Sequence, residues 1–172
     1  MENNLIFNIK FDVDKEKLLQ ESKHFRPKLG EDCQVGYGSA VWEDKVIGDR
    51  DRTNSGFIGK SQMTEEIKRV VDFFEEKLGV GVLPIFTTQR PNKELFMHTD
   101  PKEMKCAINF VISGNTSPIT FKDGGDFFYE SAVVNVSEMH CVKPQKEKRI
   151  LFKLCINDLT FEEVKGKLND LV

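Results

Sequence analysis

Between residues 82 and 157 the chain breaks into eight short apolar runs, and no other feature limits its fold so tightly. The runs are "VLPIFTTQ", "ELFMH", "KCAINFVIS", "PITF", "DFFYE", "AVVNV", "MHCVK" and "KRILFKLCIN", parted by turn-forming clusters such as "SGNTSP" and "KDGGD". Each run has the length of a strand, and turn signals recur every ~8–12 residues, the rhythm of an all-β sandwich or barrel. Alternating β and α units would need ~10–15 residues of helical pattern between successive runs. None is there. A sandwich or a jelly-roll barrel is the expected core.

The flanks read differently. "LIFNIKF" alternates, putting Leu5, Phe7, Ile9 and Phe11 on one face of a strand. "DVDKEKLLQESKHF" follows as a short helix starting after Asp12 or Asp14, with Leu18, Leu19 and Ser22 at helical spacing. "MTEEIKRVVDFFEEKLG" is the clearest helix: Ile67, Val70, Val71, Phe74 and Leu78 form one apolar stripe, Thr64 stands where a cap is needed, and Gly79 ends it. At the C-terminal side, Thr160 and Glu163 form a capping box ahead of Phe161, Val164, Leu168 and Leu171. Residues 26–60 hold scattered glycines around one strand-like segment, "YGSAVW". A loop so long is a candidate lid. Tyr37 and Trp42 are candidates to line an entrance beneath it, the alternative for Trp42 being a cover on the outside of the barrel. A chain of 172 residues suits one domain: a core barrel at about 80–157, an N-terminal region 1–79 and a C-terminal helix at 160–171.

Charge and cysteine usage exclude several classes. The formal net charge is −3, with Lys and Arg scattered among acids, so a groove for nucleic acid is not expected. The densest basic run, "KPQKEKR", reads as a solvated hairpin turn. Cys33, Cys106, Cys141 and Cys155 show no C-x-x-C spacing, and three of them fall inside expected strands, so neither a disulfide scaffold nor a zinc finger is supported. No apolar run reaches the ~20 residues needed to span a bilayer, and the N-terminus lacks the three-part layout of a signal peptide. A cytoplasmic protein without a membrane partner is expected.

Against that background "KELFMHTDPKEMK" gains meaning. His98 and Asp100 lie two apart at the end of a strand, so both side chains reach one side. A third ligand is needed, and His24 sits near the end of the first helix, whereas His140 opens a strand four strands later, a separation that a jelly roll can close across its wall. Two histidines and one carboxylate on one face of an ion, with the other face open, are the donor set of non-haem Fe(II) oxygenases. Arg149 then heads the last apolar strand, "RILFKLCI". A turn around Pro144 would bring it back beside the ions's ligands, where a guanidinium needs an anion such as the distal carboxylate of 2-oxoglutarate.

In these segments the chain resembles the Fe(II)/2-oxoglutarate-dependent oxygenases, in particular their prolyl-hydroxylase-like and aspartyl/asparaginyl β-hydroxylase-like branches. The resemblance lies in "PIFTTQRPNKELFMHTDP", "KCAINFVISG" and "VVNVSEMHCVKPQKEKRILFKLCI", roughly residues 80–157. It implies a mainly β fold, a double-stranded β-helix (jelly roll) barrel with flanking α-helices. It implies His98, Asp100 and His140 as iron ligands, Arg149 as anchor for the co-substrate 2-oxoglutarate, and O2 as the oxidant. The His140-to-Arg149 interval is one residue shorter than the family spacing, which leaves Lys148 as an alternative anchor on the other face of the strand. Thr87, Gln89 and Asn109 are polar residues in apolar strands and are candidate co-substrate contacts, each with the alternative of a strand end or a solvated face. The activity implied is hydroxylation of a small-molecule or peptide/protein substrate. A cupin-like metal-binding protein and a non-catalytic jelly-roll binding module are the alternatives.

Overall fold

Alternate residues of the longest strands face two different apolar layers, and that division builds the architecture. The computed structural model describes residues 4–25, 41–42, 45–46, 52–54 and 57–172. Along the chain these form β1 (Ile6–Asn8), α1 (Lys15–Ser22), β2 (Val41–Trp42), β3 (Lys45–Val46), β4 (Arg52–Asn54), α2 (Glu65–Leu78), β5 (Leu83–Gln89), β6 (Leu95–His98), β7 (Cys106–Ser113), β8 (Ile119–Phe121), β9 (Gly125–Phe127), β10 (Ser131–Val134), β11 (His140–Val142), β12 (Arg149–Ile156) and α3 (Phe161–Lys167). Six strands make a large sheet in the order β1-β10-β7-β12-β5-β4, four make a smaller one, β6-β11-β8-β9, and β2 pairs with β3. Every pairing is antiparallel. Two facing antiparallel sheets with crossing connections are a jelly roll, the double-stranded β-helix expected from the strand rhythm.

On β7, Ile108, Phe110 and Ile112 join Phe152, Leu154 and Ile156 of β12 in a layer beneath the helices, where Leu18, Ile67, Val70, Phe74, Phe161 and Val164 cover them. The rings of Phe86, Phe152, Phe110 and Phe74 run through this layer with successive centroids 5.1, 6.2 and 5.9 Å apart. Each such side chain contributes about 1.5–3 kcal/mol by leaving water. The opposite parity points between the sheets: Ala107, Val111 and Cys155 meet Ile119, Phe121 and Val142 of the small sheet. Polar residues of that parity are therefore inside the barrel.

Local signals explain the ends of the elements. Asp14 caps α1 by accepting from Lys17 N at 2.9 Å. Thr160 and Glu163 form the reciprocal capping box of α3. Thr64 occupies the cap position of α2, but its hydroxyl makes no capping bond. The N–H of Glu66 instead donates to Glu21 Oε1 of α1 at 3.2 Å, so a neighbouring helix supplies the acceptor. Gly79, at φ +73°, closes α2 in the left-handed region.

Three expectations need correction. Leu5 does not share the face of Phe7, Ile9 and Phe11; with Ile6 it packs against the inter-sheet cluster, because β1 spans only three residues at the sheet edge. "DFFYE" is not one strand: β9 ends at Phe127, Phe128 is exposed, and Tyr129 turns inward as the chain crosses to β10 in the large sheet. "KPQKEKR" is not a hairpin turn either. It carries the chain from β11 in the small sheet to β12 in the large one. Buried Gln145 pins this crossing, donating to Gly114 O at 2.8 Å and accepting from Thr116 Oγ1 at 3.1 Å. Cys106, Cys141 and Cys155 are buried and unbridged, and burial pushes the Cys106 thiol up to about 12, which makes it apolar filling. Cys33, Tyr37, the side chain of Trp42 and most of the 26–60 stretch read as a lid lie outside the described residues. Among the described residues no helix is long and apolar enough to cross a membrane.

Candidate metal centre and anion pocket

His98 is the last residue of β6, His140 the first of β11, and the two are register partners. Four strands separate them in the chain, and antiparallel pairing in the small sheet brings their rings to 4.5 Å between centroids. One local device orients both. Nδ1 of His98 lies 2.6 Å from Phe96 O, and Nδ1 of His140 lies 2.8 Å from Glu138 O. A carbonyl oxygen only accepts, so Nδ1 carries the proton in each ring and Nε2 turns a lone pair to the barrel. Asp100 is held on the same side by its N–H, which donates to Val136 O at 2.9 Å.

All three side chains are buried, and one potential ligand atom from each lies within 4.8 Å of the others. The carboxylate divides its oxygens: Oδ1 is 3.4 Å from His98 Nε2, while Oδ2 is ion-paired with Lys153. Burial, reinforced by the neighbouring His98, pushes His140 down to about 3, so its imidazole is neutral near pH 7. His98 Nε2 is buried without a hydrogen bond. A buried lone pair without a donor costs free energy, and a cation is a partner that satisfies it. Two imidazole nitrogens and one carboxylate oxygen suit a divalent first-row metal, and the residues present fit one.

Beside this cluster a pocket opens between the sheets, lined by His140, Thr87, Gln89, Asn109, Arg149 and Lys153 among others. Parity puts them there. Across the large sheet, Arg149 is the register partner of Gln89, Leu151 of Thr87 and Lys153 of Asn109, all on the inner face. Arg149 is 3% exposed, whereas Lys148, just before β12, is exposed to solvent, so of the two anchors weighed from the sequence only Arg149 reaches the pocket. Its Nη2 donates to the Tyr129 hydroxyl at 3.2 Å, with the guanidinium carbon 5.6 Å from the ring centroid. Asn109 Nδ2 donates to the same hydroxyl at 3.0 Å. An oxygen that accepts twice keeps its own proton to give away. Arg149 Nε is buried with no partner. This end of the pocket therefore presents donors and positive charge, the environment a carboxylate needs.

The remaining polar residues divide by role. Gln89 spends its amide hydrogens on structure, donating to Lys93 O at 2.8 Å and Val142 O at 3.3 Å, and so ties the large sheet to the small one. Its Oε1 makes no hydrogen bond. Thr87 is buried against the pocket. His24 is exposed after α1, away from the cluster. Tyr129 and Lys153 belong to the site but not to the set expected from the sequence. Lys153 shares the parity of Arg149 in "RILFKLCI", which was a readable sign; Tyr129 sits where the expected strand proved to be a crossing.

Known proteins agree on the fold. No family model matches the chain, and no curated protein matches it. Among solved structures, it is similar to a prolyl-4-hydroxylase from Pseudomonas putida, with 14% identity over 88% of this chain and 91% of that one and a TM-score of 0.60. It is similar to a viral collagen prolyl hydroxylase from Paramecium Bursaria Chlorella virus-1, solved as a 2OG complex, with 8% identity, 90% and 95% coverage and a TM-score of 0.51. AviO1 from Streptomyces viridochromogenes shares 12% identity over 90% of each chain at a TM-score of 0.50. At such identities the likeness establishes a shared fold, that of the 2-oxoglutarate-Fe(II) oxygenases.

Proposed function

We propose that this chain is a non-haem Fe(II) dioxygenase that couples oxidative decarboxylation of 2-oxoglutarate to hydroxylation of a substrate. The observation that carries the reading is a buried His-Asp-His cluster that meets, through His140, the pocket lined by an arginine whose Nε has no protein partner. A cupin-like metal protein would have no use for that arginine. In this reading His98, Asp100 and His140 hold the iron, and the bound metal with 2-oxoglutarate and O2 supplies the oxidising chemistry, yielding succinate, CO2 and a hydroxylated product.

The chain's own residues bind, orient and exclude water. Arg149 and the free proton of Tyr129 hold the distal carboxylate, and Asn109 fixes the Tyr129 hydroxyl between them. That grip sets the far end of the co-substrate, so its keto-acid end is delivered toward the two imidazoles and not into solvent. The Nδ1–H bonds to Phe96 O and Glu138 O keep both rings from rotating or changing tautomer. Leu95, Ile119, Val142 and Leu151 wall the pocket with apolar surface and keep water from the reacting groups. The similarity to prolyl hydroxylases supports a C–H bond of a peptide or protein residue, or of an amino acid, as the target.

Anaerobic titration of 2-oxoglutarate into the Fe(II)-loaded protein tests the reading. A weak visible charge-transfer band is expected on chelation of the keto acid. His98→Ala and His140→Ala should lose the metal, and Arg149→Ala should bind metal normally yet hold 2-oxoglutarate at least about tenfold more weakly, the loss of a charge-assisted pair. Bound iron with no band would favour the cupin-like alternative.

A further inference from the structure

Lys153 is an unusual neighbour for a metal-binding carboxylate. It stands in the middle of β12, between Ile85 and Asn109 on the inner face, at a position whose parity carries Arg149 at the strand's start and apolar Leu151 and Cys155 on either side. Its side chain is 8% exposed and ion-paired with Asp100 Oδ2, and the Asp100 side chain is 2% exposed. An ammonium buried this far is tolerated only with a compensating charge, and Asp100 provides it. The carboxylates of metal sites are commonly oriented by a hydrogen-bonding group that leaves their charge to the metal. Here the orienting group is a full positive charge. It fixes Oδ2, leaves Oδ1 facing His98, and its field extends to His140, where it adds to the effect of burial and of His98.

We infer that Lys153 is a built-in counter-cation to Asp100 that compensates the carboxylate before a metal arrives and then competes with that metal, lowering its affinity below what the three ligands alone would give. The inference rests on the reading of His98, Asp100 and His140 as metal ligands. The physical basis is a comparison of two states. Without metal, Asp100 and Lys153 form a neutral buried pair, so the empty cluster carries no uncompensated charge. A divalent ion must share Asp100 with an ammonium already in place and accept its repulsion at short range in a medium that screens poorly. Removing the positive charge while keeping a hydrogen-bond donor raises the cost of the metal-free state and removes the repulsion from the metal-bound one. Both changes tighten binding.

The test is the affinity of the metal-free full chain for Zn(II), measured by competition with a chromophoric chelator, since zinc binds the same donors without oxygen chemistry. Lys153→Gln keeps an N–H for Oδ2 and loses the charge; with the repulsion relieved, it should bind zinc at least about tenfold more tightly than the parent. Lys153→Arg keeps the charge and should stay within about threefold of the parent, a difference under ~1 kcal/mol. Equal or weaker binding by Lys153→Gln overturns the inference, as does tightening of Lys153→Arg to the same degree. Should the metal-free Gln variant prove too unstable to titrate, the rise in melting temperature on adding zinc is compared between Lys153→Met and the parent. A larger rise in the variant supports the inference and an equal or smaller one overturns it. Failure of the metal reading itself looks different: neither the parent nor any Lys153 variant would hold zinc better than His98→Ala, and both readings would fall together.

Discussion

Single atoms decide how this pocket works, and the Tyr129 hydroxyl is the plainest case. It accepts from Arg149 and from Asn109, and its own proton is the third donor offered to a carboxylate. Tyr129→Phe should weaken 2-oxoglutarate binding roughly three- to tenfold, the worth of about one hydrogen bond, and leave metal binding unchanged; isothermal titration of the parent and variant measures both. His140 makes a second prediction, about acid. Its imidazole is held down to about 3 by burial first and by His98 second, against about 6.5 for an ordinary histidine. Below pH 6.5 the unfolded chain takes up a proton that the folded one refuses. The stability due to this group is therefore intact above that pH and falls as pH drops toward 3, by up to about 1.4 kcal/mol per pH unit. Urea midpoints of the metal-free protein at pH 7 and pH 5 should show the decline, and His140→Asn should flatten it. Equal slopes would mean that His140 is not kept neutral.

At the scale of elements, the connection between β11 and β12 governs where Arg149 stands. Gly114 follows β7 at φ +72°, and a Cβ there would collide with the Lys148 carbonyl oxygen and come within 2.9 Å of the Arg149 Cα. Both obstacles are backbone and cannot swing aside. Gly114→Ala should thus destabilise the fold by about 1–3 kcal/mol, through strain and displaced backbone, and should weaken 2-oxoglutarate more than it weakens metal binding. Denaturant unfolding and the two titrations separate these effects; an Ala variant with the parent's stability and affinities would show that the close approach is unimportant. Gln145, a buried residue of that connection bonded to Gly114 O, marks this crossing as braced against the end of β7.

Across the whole molecule, strand rhythm proved the most legible signal, because turn clusters and run lengths are local properties of a chain. His98, Asp100 and His140 were legible for the same reason: two-residue spacing fixes a side of a strand, and four intervening strands fit one circuit of a jelly roll. Lys153 was legible only through the parity it shares with Arg149, a faint sign because β12 reads as one apolar run. The crossing after β11 was not readable, since a hairpin and a passage between sheets use the same turn residues. One feature of the fold bears on how it comes apart. His98 and His140 sit opposite each other in the small sheet, yet β7, β8, β9 and β10 all lie between them in the chain. An ion gripped by both would act as a removable cross-link closing that long loop, subtracting chain entropy from the unfolded state much as a disulfide does. The ion would then serve as a staple for half the barrel, and its departure would loosen the small sheet before anything else.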